Sequence, residues 1–382
     1  MGRERAMREL ATWRGAATSA QKCEAARRIL DALLDTGLTP AETREAQEAL
    51  LALADDPSPK VRAVLAERLA HEPGAPRRLA RVLAEDIDTV ATSIVAHSLA
   101  LTEDDLIDLA ATGTPRVQCA IARRPRVPLR VAAALAEVGG RTPCLELLAN
   151  DAATIAPASL RRIVENHGSD GAMRERLLQR RDLPAELRQT LLLQTASALG
   201  TADLVRNALG EARAQRVLAE ACAEGIGQIA DDLDTPGMAR FVDHLRTTGQ
   251  ISTAFLLRTA CEGRIDLFAA SLAALARLTF RRVRALLVDA KAHAFKALCA
   301  SAGVAQPVVP LLLSAIQAWK AVLLGRVDRS AEEGFDYVMA RVMESLPADP
   351  RDEPLEEIRA LLARLSARGA LRSLTPRPAL AA

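Results

Sequence analysis

Five stretches of the chain repeat one pattern, and a repeat of this length restricts the fold more than any other feature of the sequence. They are ADDPSPKVRAVLAERLA (54–70), AEDIDTVATSIVAHSLA (84–100), ATGTPRVQCAIARRPR (111–126), GGRTPCLELLAND (139–151) and GSDGAMRERLLQRRD (168–182). Aligned on Val61, Val90, Val117, Pro143 and Met173, they step by 29, 27, 26 and 30 residues. Four positions on, the residue is aliphatic in each (Leu65, Ile94, Ile121, Leu147, Leu177), and five positions on it is apolar (Ala66, Val95, Ala122, Leu148, Leu178). Self-similarity at this period marks stacked helical units, each too small to bury its own apolar stripes. Solenoids of this kind present surfaces that hold a partner.

Local signals agree with helix throughout. Ala, Leu, Arg and Glu dominate, apolar residues recur at three and four, and strand patterns are nearly absent. Within each unit a first helix carries the aligned positions and a second follows a short turn. Pro76, Pro128, Pro157 and Pro184 fall near the second-helix starts, where a missing N–H costs nothing. Thr102 with Asp105 serves the second unit. Thr39-Pro40-Ala41-Glu42 has the spacing of a capping box. The expected fold class is all-α: a HEAT-like helical-repeat solenoid followed by a second, more globular helical domain. We place N-terminal helices capping the array at 1–56, five HEAT-like helix pairs at 57–199, a C-terminal helical domain at 200–368 and a flexible tail at 369–382.

The second domain is inferred from a shift in composition. Apart from Trp13, no aromatic residue other than histidine precedes Phe241; Phe255, Phe268, Phe280, Phe295, Trp319, Phe335 and Tyr337 follow it. The repeat period also fades near 200. Larger side chains in this half imply a different packing mode. Gly225-Ile226-Gly227 reads as a helix break, Ser330-Ala331-Glu332-Glu333 as a capping box, and the 200–235 segment as the junction.

Composition narrows the function classes. A formal charge of +2 over 382 residues argues against a dedicated nucleic-acid or anionic-membrane binder. The start MGRERAMREL lacks an apolar signal core. Val308 to Gly325, interrupted by Pro310, Gln317 and Lys320, reads as a buried helix, not a membrane span. The six scattered cysteines look like small core residues in a reducing compartment, so a cytoplasmic location is expected. No metal-ligand spacing, phosphate loop, dinucleotide fingerprint or nucleophile elbow occurs, and no cofactor is expected. Carboxylate neighbours such as Asp104-Asp105 fall at helix starts, where they complement the macrodipole.

Two polar patterns remain. Arg116, Arg123, Arg124, Arg126 and Arg130 form one basic set, with others at 174–188 and 281–284. A phosphate backbone is their sharp reading. Residues 1–200 hold 27 basic and 27 acidic side chains, which favours solvated faces and ion pairs. The second is a ladder seven positions after each anchor: Arg68, His97, Arg124, Asn150 and Arg180. It is either a binding spine for a peptide or acidic partner, or a brace on free carbonyls at helix C-termini and between units. The regular recurrence favours the brace.

The ordered run LADDPSPKVRAVLAERLA, LAEDIDTVATSIVAHSLALTEDDLIDL, VQCAIARRPRVP, LLANDAATI and LLQRRDLP, followed by ISTAFLLRTACEGRIDLFAASLAALARLTFRRVRALLVD, resembles a family of alphaproteobacterial proteins of unknown function with HEAT-like repeats. The resemblance covers roughly residues 50–300 and implies no activity or site residue. The leading expectation is a non-enzymatic protein–protein interaction scaffold or regulatory adaptor, with an unidentified protein partner and self-association through the C-terminal domain. The alternatives are nucleic-acid binding through the Arg rows and a small-molecule or hydrolytic site in the C-terminal half.

Overall fold

The computed structural model describes residues 18–34, 38–326, 331–346 and 353–374. Trp13, the expected cap at Ser330 and residues 375–382 lie outside the described residues. Among those described there are 22 α-helices and no strand; Val127 and Ala153 form a lone bridge. The chain divides into two units, ending and starting at Leu187 and Arg188. The division falls inside a helix rather than at 199/200.

The first unit opens with α1 (Ser19–Leu34) and α2 (Pro40–Ala54). The Thr39 hydroxyl accepts from the Glu42 N–H, and the Glu42 carboxylate accepts from the Thr39 N–H at 2.7 Å, so the capping box forms. Four complete pairs follow: α3 (Pro59–Ala70) with α4 (Arg77–Ala84), α5 (Asp88–His97) with α6 (Glu103–Thr112), α7 (Pro115–Ala122) with α8 (Leu129–Val138), and α9 (Arg141–Ala149) with α10 (Pro157–His167). A fifth starts with α11 (Gly171–Gln179) and continues in α12 (Ala185–Thr201).

Each first helix packs on the first helix of the next pair: α3 on α5, α5 on α7, α7 on α9 and α9 on α11. The second helices α6, α8 and α10 do the same. The pair α1/α2 joins this order, with α1 on α3 and α2 on α4, and Ala25, Ile29 and Leu30 of α1 are buried at the same 0, +4 and +5 spacing. The anchors and their +4 partners are buried in all five units. A buried side chain of this size contributes about 1.5–3 kcal/mol. The +5 position is buried in the first four units, but Leu178 in the fifth is 42% exposed.

The second unit follows another plan. After α12 come α13 (Asp203–Leu209), α14 (Glu211–Asp231), α15 (Thr235–Thr247), α16 (Thr253–Cys261), α17 (Ile265–Ala276), α18 (Phe280–Asp289), α19 (Ala292–Ser301), α20 (Val309–Leu323), α21 (Ala331–Glu344) and α22 (Glu353–Leu374). Helices α16 and α17 are its centre: every residue of 255–261 and 267–273 is buried, and α16 touches α17, α20, α21 and α22. Phe241, Phe268 and Phe295 are fully buried. The window Gln306–Leu323 is long and apolar enough to cross a membrane by length and composition, and here α20 packs on α16, α19 and α21.

Gly225 and Gly227 do not break a helix; α14 runs through both, and most of the 200–235 segment is helical. They are close-approach positions instead. A Cβ at Gly225 would meet Leu192 at 2.6 Å, and one at Gly227 would run into the Arg264 guanidinium. Arg264 lies against Glu224, Asp231 and Glu262 in a largely buried ionic cluster. Gly263, at φ +75°, turns the chain between α16 and α17 under the Trp319 indole. The Trp319 Nε1–H donates to the Ala260 carbonyl at 2.9 Å.

Candidate functional site

The ladder divides into three kinds of rung. Arg124 is 7% exposed, and its guanidinium donates to the carbonyls of Val95 and, at 2.8 Å, Ser98, at the C-terminal end of α5. Asn150 Nδ2 donates to the Ala122 and Arg124 carbonyls at 2.8 Å, at the end of α7. Arg180 donates to the Leu148 carbonyl in the last turn of α9 at 3.2 Å and to the Ala153 carbonyl beyond it at 3.4 Å, and pairs with Asp182 at 2.8 Å. Each of these three reaches back one pair and satisfies carbonyls that a helix C-terminus leaves open. Burial lowers the pKa of the Arg124 guanidinium from its ordinary value. Arg68 pairs with Asp31 of α1. His97 differs: it is exposed, and its ring lies 4.6 Å from that of His71, centroid to centroid.

Several arginines of the basic rows are engaged instead with carboxylates. Arg123 holds Glu146 at 2.5 and 2.8 Å, Arg130 holds Asp104 at 2.9 Å, and Arg284 holds Asp266 at 2.5 Å. Further pairs cross between successive units: Arg62 with Asp86, Arg77 with Asp105, Arg141 with Asp170 and Arg162 with Glu137. Asp105 is both the capping partner of Thr102 and the acceptor of a two-armed Arg77 contact. The Arg77 hydrogen bonds, aided by Thr102 and opposed by burial, hold its carboxyl well below the usual range.

The His71–His97 contact belongs to a groove of about 850 Å³ in the first unit. Four successive first helices line it: α3 and its C-cap (Glu67, Ala70, His71), α5 (Thr92, Ser93, Ala96, His97), α7 (Pro115, Arg116, Cys119, Ala120) with its C-cap Arg123, and α9 (Thr142). Counted from the anchors, most of these residues occupy positions −1, +2, +3 and +6. At ~3.6 residues per turn such positions fall in one stripe about 100° wide, away from the buried 0, +4 and +5 stripe. Ala, Ser, Thr and Cys at +2 and +3 keep the floor low. Arg116, Arg123, His71 and His97 stand along it with one carboxylate, Glu67. Arg116 has no ion-pair partner among the described residues. The Cys119 thiol is a poor nucleophile here, since burial and Glu146 raise its pKa against the effect of Arg123.

Sequence reasoning singled out His97 of this groove and placed Arg116 and Arg123 in a basic row. It missed Thr92, Ser93 and Thr142, whose signal was their shared register at −1, +2 and +3, and it did not place His71, the C-cap of α3, beside His97. Among the described residues, no group of three or more His, Cys, Asp or Glu could hold a metal ion. In the second unit a smaller pocket of about 320 Å³ is lined by Met238, Val242, Ala270, Phe280, Asp243, Asp266 and Arg284.

The protein is thus an all-helical chain whose first unit presents a groove, lined by small residues with Arg and His along it, across consecutive first helices. It belongs to a bacterial family described as uncharacterised proteins conserved in bacteria (DUF2336), whose model matches residues 90–348. No curated protein and no solved structure matches it.

Proposed function

We propose that this chain is a non-enzymatic interaction scaffold, in which the helix pairs of the first unit act as a HEAT-like solenoid that holds an acidic segment of a partner protein. The groove over α3, α5, α7 and α9 carries the reading. It runs across several units, as an extended ligand requires, and it offers Arg116 and the paired imidazoles above a floor of small side chains. A carboxylate-bearing segment matches Arg forks and ring N–H donors. The ladder residues Arg124, Asn150 and Arg180 keep the successive helices in place and do not themselves meet the ligand.

The engagement of Arg123, Arg130, Arg180 and Arg284 with protein acceptors favours a peptide over nucleic acid, because those guanidinia are not available in a row for phosphates.

The test is fluorescence anisotropy of a labelled Glu/Leu peptide, with a Lys/Leu peptide and a duplex DNA as parallel probes. We expect the acidic peptide to bind at low salt and to weaken as salt rises. Arg116→Glu combined with His71→Ala and His97→Ala should abolish the binding without changing the far-UV CD spectrum. Equal binding by the triple variant would overturn the groove assignment. Binding of DNA in place of the acidic peptide would replace this reading with the nucleic-acid one.

A further inference from the structure

The run 197–221 in the second unit is nearly bare. Ala214 is its one buried residue, while Leu199, Leu204, Leu209 and Val217 are 46%, 82%, 38% and 47% exposed. Helix α13 has seven residues and buries none of them. An isolated helix shorter than about 12–15 residues is marginal in water, and tertiary packing of an apolar face normally supplies the missing stability. Here α13 packs mainly on α14, and Leu204 and Leu209 of α13 and Val217 in the first half of α14 remain exposed, while the second half of α14 buries Cys222, Ile226 and Ile229.

We propose that this surface is where two copies of the chain associate, by a two-fold antiparallel contact of α13 and the first half of α14. The charges name the occupant. Asp203 and Glu211 are the first residues of α13 and α14, and Arg206, Arg213 and Arg216 follow them. None of the five makes an ion pair among the described residues. An antiparallel second copy sets the acidic start of each helix against the basic stretch of the other, so that Glu211 of each copy lies beside Arg216 of the other. A partner of single-sign charge would leave one set unmatched. Two-fold pairing is also the commonest way for a self-complementary patch to close. Size agrees, since a standard interface takes about 20–30 residues a side and the exposed run offers nearly that. This surface is independent of the groove in the first unit.

Sedimentation velocity of the full chain across a dilution series tests the proposal. The wild type is expected at twice the chain mass. Leu204→Glu with Val217→Glu should run as a monomer with unchanged helical CD, because Leu204 is almost fully exposed and Val217 about half exposed within the single chain. Glu211→Arg and Arg216→Glu should each weaken the dimer by roughly tenfold, and the two together should restore it. A wild type that stays monomeric throughout, or a dimer that survives the Leu204/Val217 change, overturns the proposal. Failure of the charge-swapped pair to recover overturns the antiparallel register. Binding of the acidic peptide to the groove should be the same in all these variants, so the two readings fail separately.

Discussion

The two units solve the same problem, an all-helical core, by different means. In the first, polar cross-links recur at nearly the sequence period. Arg123–Glu146, Arg62–Asp86, Arg162–Glu137, Arg130–Asp104, Arg77–Asp105 and Arg141–Asp170 join residues 23, 24, 25, 26, 28 and 29 apart. Its core is Leu, Ile, Val and Ala. In the second, cross-links follow no single period: Arg284 meets Asp266 18 positions away and His244 meets Gln189 55 away. Trp319 reaches Ala260 across 59 positions and Arg264 reaches Asp231 across 33, while three phenylalanines fill the centre. The first unit is held by neighbour contacts that tolerate local change. The second depends on a few contacts that many helices share.

The largest expected effect follows from the second plan. Phe268→Ala removes a fully buried ring from α17 and should cost about 3–5 kcal/mol. Hydrogen exchange should then accelerate across α15 to α20, since a shared core loses packing everywhere at once. Acceleration confined to α17 would break the contrast between the units.

Arg124→Ala should cost less, about 1–3 kcal/mol, because it leaves the Val95 and Ser98 carbonyls buried without donors. Its exchange signature should stay local, at the end of α5 and in α7. Arg124→Lys should recover only part, as an ammonium cannot span two carbonyls with the same planar fork. A change spread through the whole first unit would show that its pairs do not act as neighbours.

The smallest effect is on pH dependence. Asp105 has a depressed folded-state pKa, so its contribution is fully present above the unfolded carboxylate range, near pH 4, and is lost as pH falls through the folded value. Thermal unfolding followed from pH 7 down to about pH 3 should show a shallower acid limb in Asp105→Asn than in the wild type. An identical limb in both would mean that the Arg77–Asp105 contact is not linked to folding.

Much of the helical layout was legible beforehand. Val61, Val90, Val117, Pro143 and Met173 marked five first helices, Thr39 and Thr102 marked starts, and the prolines marked second helices. Such signals are local: they lie within one turn or one period of the residues they govern. The helices of 1–56 were expected to cap the array, and α1 and α2 do pack on α3 and α4; the Arg68–Asp31 contact that joins α1 to α3 was not legible, because it lies between helices. Gly225 and Gly227 misled for a related reason. Glycine in a sequence suggests a break, but here it admits Leu192 and Arg264, which are distant in the chain.

The candidate site shows the same division. The sequence alone set which residues share a helix stripe, since ~3.6 residues per turn fixes that within any one helix. It therefore determined the aligned core, the ladder at +7 and the stripe at −1, +2, +3 and +6 that lines the groove. Only the tertiary structure decided that Arg124 is buried on carbonyls while His97 faces solvent beside His71, although both occupy one register position. The difference arises between helices. Whether a polar side chain meets a carbonyl, a carboxylate or water depends on what the next pair places opposite it, and a single helix carries no record of that.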